Sequence, residues 1–168
     1  MPDATGLELI AQGVRDKLGD EAVVGTDFSH EEATLQVAPE RIRDVLGELK
    51  ADWPALTSLH GNDYFPDEPR FGLHYYLLSM ERAERLHVKV RLSEEPRIDS
   101  VVDLFPTANF QEREVYDMFG VVFESHPDLT RILMPEDYVG WPQRRDFPMG
   151  GEPVIFTFNE HKIPRWYE

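Results

Sequence analysis

Between Leu86 and Leu92 apolar and polar residues alternate without exception: Leu86, Val88, Val90 and Leu92 on one parity, His87, Lys89 and Arg91 on the other. Successive side chains of a strand point to opposite faces, so this run specifies a strand with one face on a core and one wet face. Arg70–Met80, with Leu73, Tyr75 and Leu77 on one parity, is its natural hairpin partner. With Glu81–Glu84 as the turn, Leu77 faces Val88, Tyr75 faces Val90 and Leu73 faces Leu92. Both strands then present their apolar residues to the same side. A hairpin with one apolar face has to be covered, and that requirement governs the rest of the chain.

The preceding residues supply the cover. Thr5-Gly6-Leu7-Glu8 has the spacing of a capping box; Leu7, Ile10, Val14 and Leu18 follow at helical intervals, and Gly19 offers a stop. Residues 22–27 and 33–38 read as two strands around the polar turn 29–32. Pro39 suits a first helical position, and Ile42, Val45, Leu46 and Leu49 line one face of a second helix that Trp53-Pro54 closes. Residues 55–62 form a further strand. The order α-β-β-α-β-β-β predicts an α+β domain, a mainly antiparallel sheet with helices on one face. A short helix is expected over 100–105 and a stronger one over 109–119.

After Phe123 the periodicity stops. Residues 125–168 hold six prolines, and only 154–159 read as a strand, yet aromatic and aliphatic residues persist, Tyr138, Trp141, Phe147 and Trp166 among them. Disordered segments are poor in such residues. An irregular, aromatic, Pro-rich segment has to bury its apolar side chains, either on its own domain or on another protein. Burial on another protein is the expectation. The chain therefore divides into an α+β domain over 1–124, including the 109–119 helix, and an extended partner-wrapping segment over 125–168.

Composition narrows the chemistry. A formal net charge of -15 in 168 residues opposes binding to nucleic acid or anionic lipid. The chain has no cysteine, which excludes disulfides, thiolate-held iron–sulfur clusters and Cys nucleophiles. No run reaches the ~18 apolar residues of a membrane-spanning helix. Residues 1–4 lack the basic and apolar regions of a secretory signal, so none is expected.

The densest set of charged and aromatic residues runs from Asn109 to Pro148: Glu112-Arg113-Glu114-Val115-Tyr116-Asp117-Met118-Phe119-Gly120, then His126-Pro127-Asp128-Leu129, then Arg131-Ile132-Leu133, then Arg144-Arg145-Asp146-Phe147-Pro148. Local roles suit each charge. Asn109 and Glu112 can cap a helix, Arg113 and Asp117 can pair at i, i+4, and Gly120 suits a left-handed helix end. Glu112 and Glu114 do not converge as a catalytic carboxylate pair, because i and i+2 point to different sides of a helix. His126 and Asp128, with His161, lack the spacing of a metal-site signature. No phosphate loop, dinucleotide fingerprint or nucleophile elbow is present.

These blocks resemble the signature of the C-subunit family of respiratory complex I, the proton-translocating NADH:quinone oxidoreductase. That signature runs Glu-Arg-Glu, two residues, an acidic residue, two apolar residues, six residues and His, and is met from Glu112 to His126. Family members usually carry Trp at the position of Phe110; many carry Gly at Ser125 and a basic residue at Thr130. The resemblance implies a hydrophilic peripheral-arm scaffold subunit with no catalytic residue and no cofactor or metal of its own. It implies that FMN, iron–sulfur clusters and quinone sit on other subunits. It implies contact with the quinone-site subunit (the D subunit), the B subunit and the I subunit, at the cytoplasmic side of the cell membrane. It also marks Glu112, Arg113, Glu114, Asp117, Phe119, His126, Asp128, Arg131, Arg144, Arg145, Asp146 and Phe147 as signature residues and an expected subunit interface. Three alternatives stay open: the equivalent subunit of a membrane-bound hydrogenase or deazaflavin-dependent quinone reductase, a free-standing acidic binding domain, and a small metalloenzyme using His126, Asp128 and His161.

Overall fold

The computed structural model describes residues 2–30 and 32–148. Ten main elements follow in order: α1 (Ala4–Leu18), β1 (Val23–Ser29), β2 (Glu32–Val37), α2 (Ile42–Leu49), β3 (Ala55–Asp63), β4 (Phe71–Ser79), β5 (Glu84–Leu92), β6 (Arg97–Asp99), α3 (Ala108–Phe119) and β7 (Val122–Glu124). The α+β order read from the sequence is present. Strands β1 to β5 form one sheet in the order β1-β2-β5-β4-β3. Its pairings are antiparallel except β2 with β5, which run parallel. A parallel pair needs a long crossover, and α2, β3 and β4 provide it. The sheet is therefore mixed, though mainly antiparallel.

One face of the sheet, with Leu35, Val37, Leu73, Tyr75, Leu77, Leu86, Val88 and Val90, is almost completely buried. It shares one core with Leu7, Ala11 and Val14 of α1, Ile42, Val45, Leu46 and Leu49 of α2, and Val115, Met118 and Phe119 of α3. Helix α3 lies so close to β3 that a Cβ on Gly61 would meet Phe119 at 2.9 Å.

Several expectations are corrected. The hairpin register is Leu73 with Val90, Tyr75 with Val88 and Leu77 with Leu86, two residues from the one expected. The turn is Met80–Ala83, closed by Ala83 at φ +52°, so that Glu84 already pairs with Ser79. An even shift leaves every side chain on its expected face, which is why the alternation alone could not detect it. The opposite face is not simply wet: His74 and His87 are buried there. Helix α1 is capped by Asp3, whose carboxylate accepts the Gly6 N–H at 2.7 Å, and Glu8 instead receives the Thr26 hydroxyl. Residues 101–105 form turns, not a helix, and β6 and β7 pair in parallel as a second small sheet that the sequence did not announce. The strand expected at 154–159 lies outside the described residues.

Candidate functional site

Helix α3 begins after Thr107 with no side-chain cap, so the expected Asn109–Glu112 box is absent. Glu112 turns inward instead and is fully buried. Its carboxylate accepts the Ser100 hydroxyl at 2.7 Å and the Val101 N–H at 2.8 Å, tying α3 to the turns after β6. Burial pushes its pKa up to about 7, against the lowering effect of those two bonds. His126, after β7, is anchored beside it: Nε2 lies 3.2 Å from the Asn109 carbonyl and 3.9 Å from the Glu112 carboxylate.

One turn further along α3, Asp117 is also fully buried. One carboxylate oxygen accepts the Arg131 guanidinium at 2.6 Å. The other accepts the N–H groups of Ile132, Leu133 and Met134 at 3.0, 2.7 and 2.8 Å. Burial opposes ionisation, but the Met134 and Leu133 amides, Arg131 and the Ile132 amide outweigh it and hold the pKa below the usual value. The expected Arg113–Asp117 pair does not form. Arg113 donates to the Thr130 carbonyl and hydroxyl and to the Arg131 carbonyl. Arg131 also donates to the Gly140 carbonyl and lies over the Trp141 ring at 4.6 Å. Gly120 ends α3 at φ +75°, with Trp141 so close that any Cβ would sit 2.5 Å from it.

A second anchor fastens residues 143–146. The guanidinium of Arg70, 2% exposed, meets Asp63 at 2.8 Å, Glu94 at 2.9 Å and Asp146 at 2.6 Å. Asp63 also accepts the Arg145 N–H at 2.8 Å. Burial works against the Asp63 charge, yet the Arg70 bonds and the Phe65 and Arg145 amides hold its pKa down at about 2. Arg144 donates to the Phe119 carbonyl at 2.7 Å and lies over Phe71 at 4.9 Å. Phe147 is half-buried against Gly140 and stacks with Tyr138 at 6.3 Å. Residues 125–148 thus lie on their own domain, bonded across the 124/125 boundary. Within this segment Leu133 and Val139 nevertheless stay 60% and 73% exposed. Glu114 and Asp128 remain exposed, and Arg145 is exposed while donating to the Phe65 carbonyl.

This arrangement fixes a loop; it does not assemble a nucleophile, base and acceptor. Among the described residues no group of three His, Asp or Glu side chains is placed to hold a metal ion. His161 lies outside them. Sequence reasoning misses Asp63 and Arg70, because nothing local distinguishes a buried Arg after Pro69 from a solvated one. It misses the histidine row on the other sheet face for the same reason. His87 Nε2 lies 2.8 Å from His74 Nδ1, and Thr34 Oγ1 lies 2.9 Å from His87 Nδ1.

The domain is α+β, and the buried Asp117 carboxylate of α3 fixes an exposed apolar loop. Residues 35–153 match the family model described as the respiratory-chain NADH dehydrogenase 30 Kd subunit, and the chain belongs to that family. It is 45% identical over 148 residues to the NADH-quinone oxidoreductase C subunit of Roseiflexus castenholzii, covering 85% of each chain. It is 41% identical over 168 residues to the C subunit of Roseiflexus sp. strain RS-1, covering 97% of this chain and 94% of that one. A solved structure of the trypsin-resistant fragment (1-134) of Nqo5 is similar at TM-score 0.64 and 33% identity, covering 73% of this chain and 98% of the fragment. A chain of the membrane-bound sulfane sulfur reductase, an archaeal respiratory membrane complex, aligns at TM-score 0.71 and 26% identity over 98% of this chain and 95% of that one. The chain is a subunit of an NADH-quinone oxidoreductase complex of the respiratory chain. No helix among the described residues is long and apolar enough to cross a membrane.

Proposed function

We propose that the chain is a non-catalytic scaffold subunit of the peripheral arm, holding the quinone-site (D) subunit and lying near the B and I subunits. It binds no cofactor itself; FMN, iron–sulfur clusters and quinone belong to other subunits. It sits on the cytoplasmic side of the membrane and reaches the membrane only through the complex. The observation that carries this is the Asp117 cradle. A fully buried carboxylate holds residues 131–134 through three amides and one guanidinium, while Ile132 and Leu133 stay 37% and 60% exposed. Rigid presentation of apolar side chains lowers the entropy lost on docking. Exposed Arg145 offers a planar donor to a partner carboxylate. The signature residues then serve two purposes: Asp117, Arg131, Arg113 and Asp146 shape the surface, and Leu133 and Arg145 make the contacts.

The test is a paired assay on Leu133→Asp and Arg145→Glu, with assembly read on native gels and quinone reductase activity measured per assembled complex. Scaffolding requires less assembled complex at unchanged activity per complex. Normal assembly with lost turnover would assign these residues to catalysis. The similarity to the sulfane sulfur reductase chain supports a second reading, an equivalent subunit in a related membrane-bound hydrogenase or deazaflavin-dependent quinone reductase. Identification of the co-purifying electron-input subunit separates the two.

A further inference from the structure

Glu112 is wholly buried, and Arg43 and Arg113 are engaged elsewhere. Arg43 of α2 binds Asp103 at 2.5 Å and the Ser100 carbonyl at 3.2 Å, and Arg113 binds Thr130 and the Arg131 carbonyl. The side chain of His126 is equally buried, with Nε2 3.9 Å from the Glu112 carboxylate. Its tautomer is set by its surroundings. Nδ1 accepts the Asp128 N–H at 3.0 Å, so Nε2 carries the proton and donates it to the Asn109 carbonyl at 3.2 Å. From β4 the Tyr75 hydroxyl, buried with no partner among the described residues, feels the Glu112 charge, and Asp103 adds negative potential from the turns after β6.

We propose that Glu112 and His126 form a proton-operated latch between α3 and the turn after β7. With a proton on Glu112, the His126 Nε2–H stays on the Asn109 carbonyl. When that proton leaves to solvent, the carboxylate becomes a charged acceptor, and charged acceptors bind N–H groups more strongly than carbonyls do. It takes the Nε2–H across the remaining gap, and residues 125–128 shift with the imidazole. Burial places the exchange near neutrality, since it pushes Glu112 up to about 7. Residues 125–128 lead into the loop 131–134 that Asp117 holds, so the shift reaches its seat too. Only that last consequence rests on the docking role of Ile132 and Leu133; the latch is a property of the chain alone.

The experiment is a pH titration of the full-length chain by NMR with carbon-labelled glutamate. The Glu112 Cδ resonance, assigned by its loss in Glu112→Gln, is expected to titrate near pH 7. The His126 Cε1 and Asp128 amide resonances are expected to step at the same midpoint and to lose that step in Glu112→Gln. Ser100→Ala removes a donor to the charged form and should move the midpoint upward. A Glu112 midpoint near 4.5, steps at His126 and Asp128 that persist in Glu112→Gln, or a midpoint unmoved by Ser100→Ala overturns the latch. Should Glu112→Gln fail to fold, the His126 and Asp128 steps decide: the latch requires their midpoint to move upward in Ser100→Ala, and an unmoved midpoint overturns it. If the latch titrates but capture by the quinone-site subunit does not change between pH 6 and 8, the docking role fails and the latch stands.

Discussion

The Asp117 carboxylate and the Arg131 guanidinium meet at 2.6 Å across 14 positions of sequence, and the same carboxylate gathers three consecutive amides of the loop that Arg131 opens. Removing one member of such a buried pair leaves an uncompensated charge and orphaned amides, a loss of about 3–5 kcal/mol. Asp117→Ala should therefore lower the urea midpoint strongly. It should also speed amide exchange at Leu133 and Met134 before the sheet amides are affected. Exchange at those two amides indistinguishable from wild type would show that the loop is held by other contacts.

The strand faces give a second prediction. Val88 is completely buried between Tyr75 and Leu35, its register partners in β4 and β2. Val88→Asp puts a carboxylate in that core and should cost at least ~4 kcal/mol. Lys89 points to the other face, over the Tyr64 ring at 5.0 Å, and Lys89→Asp should cost ~1 kcal/mol or less by the scale of exposed cation–π contacts. Equal losses of melting temperature would place the two residues on the wrong faces.

These two cases show what the sequence could reveal. The period-two run at Leu86–Leu92 determined which residues face the core, because that assignment depends only on parity. It could not determine the register, which moves by two because the turn, with left-handed Ala83, falls one residue earlier than expected. The signature carboxylates stood out as a motif, but their partners did not. Asp117 and Arg131 are joined by the path of the loop, and Glu112 finds Ser100 only because β6 and β7 pair, and those strands are three residues each. Arg70 looked like any surface arginine until Asp63, Glu94 and Asp146 converged on it.

A third prediction concerns acid. Burial pushes His74 and His87 down from 6.5 to about 3 and about 4, so both are neutral in the folded chain. Between those values and 6.5 the unfolded chain binds more protons, and their contribution to stability is lost as pH falls through that window. Glu112 acts in the opposite sense. Its pKa is raised from 4.5 to about 7, so its contribution is present below 4.5 and lost as pH rises through 7. The two overlap, so the informative quantity is a difference. The stability gap between wild type and His87→Gln should narrow as pH is lowered from 7 to 4. A gap independent of pH would mean that the histidine row is accessible to protons without unfolding.

The last prediction concerns the 124/125 boundary. Cutting the chain before Ser125 removes Arg131 and the three amides from Asp117, removes Asp146 and the Arg145 amide from the Arg70–Asp63 cluster, and uncovers the side of α3 that Trp141 covers at Tyr116 and Gly120. Asp117 would be left on the uncovered side of α3 without the guanidinium and the three amides that tie it to residues 131–134. Net stabilities of domains this size are about 5–15 kcal/mol, so the truncated chain should be marginal and not merely unable to bind. Urea denaturation of the full chain and of the truncated chain measures the loss. If the truncated chain keeps the full-length midpoint, residues 125–148 are an independent extension and the bonds across the boundary contribute nothing to the fold.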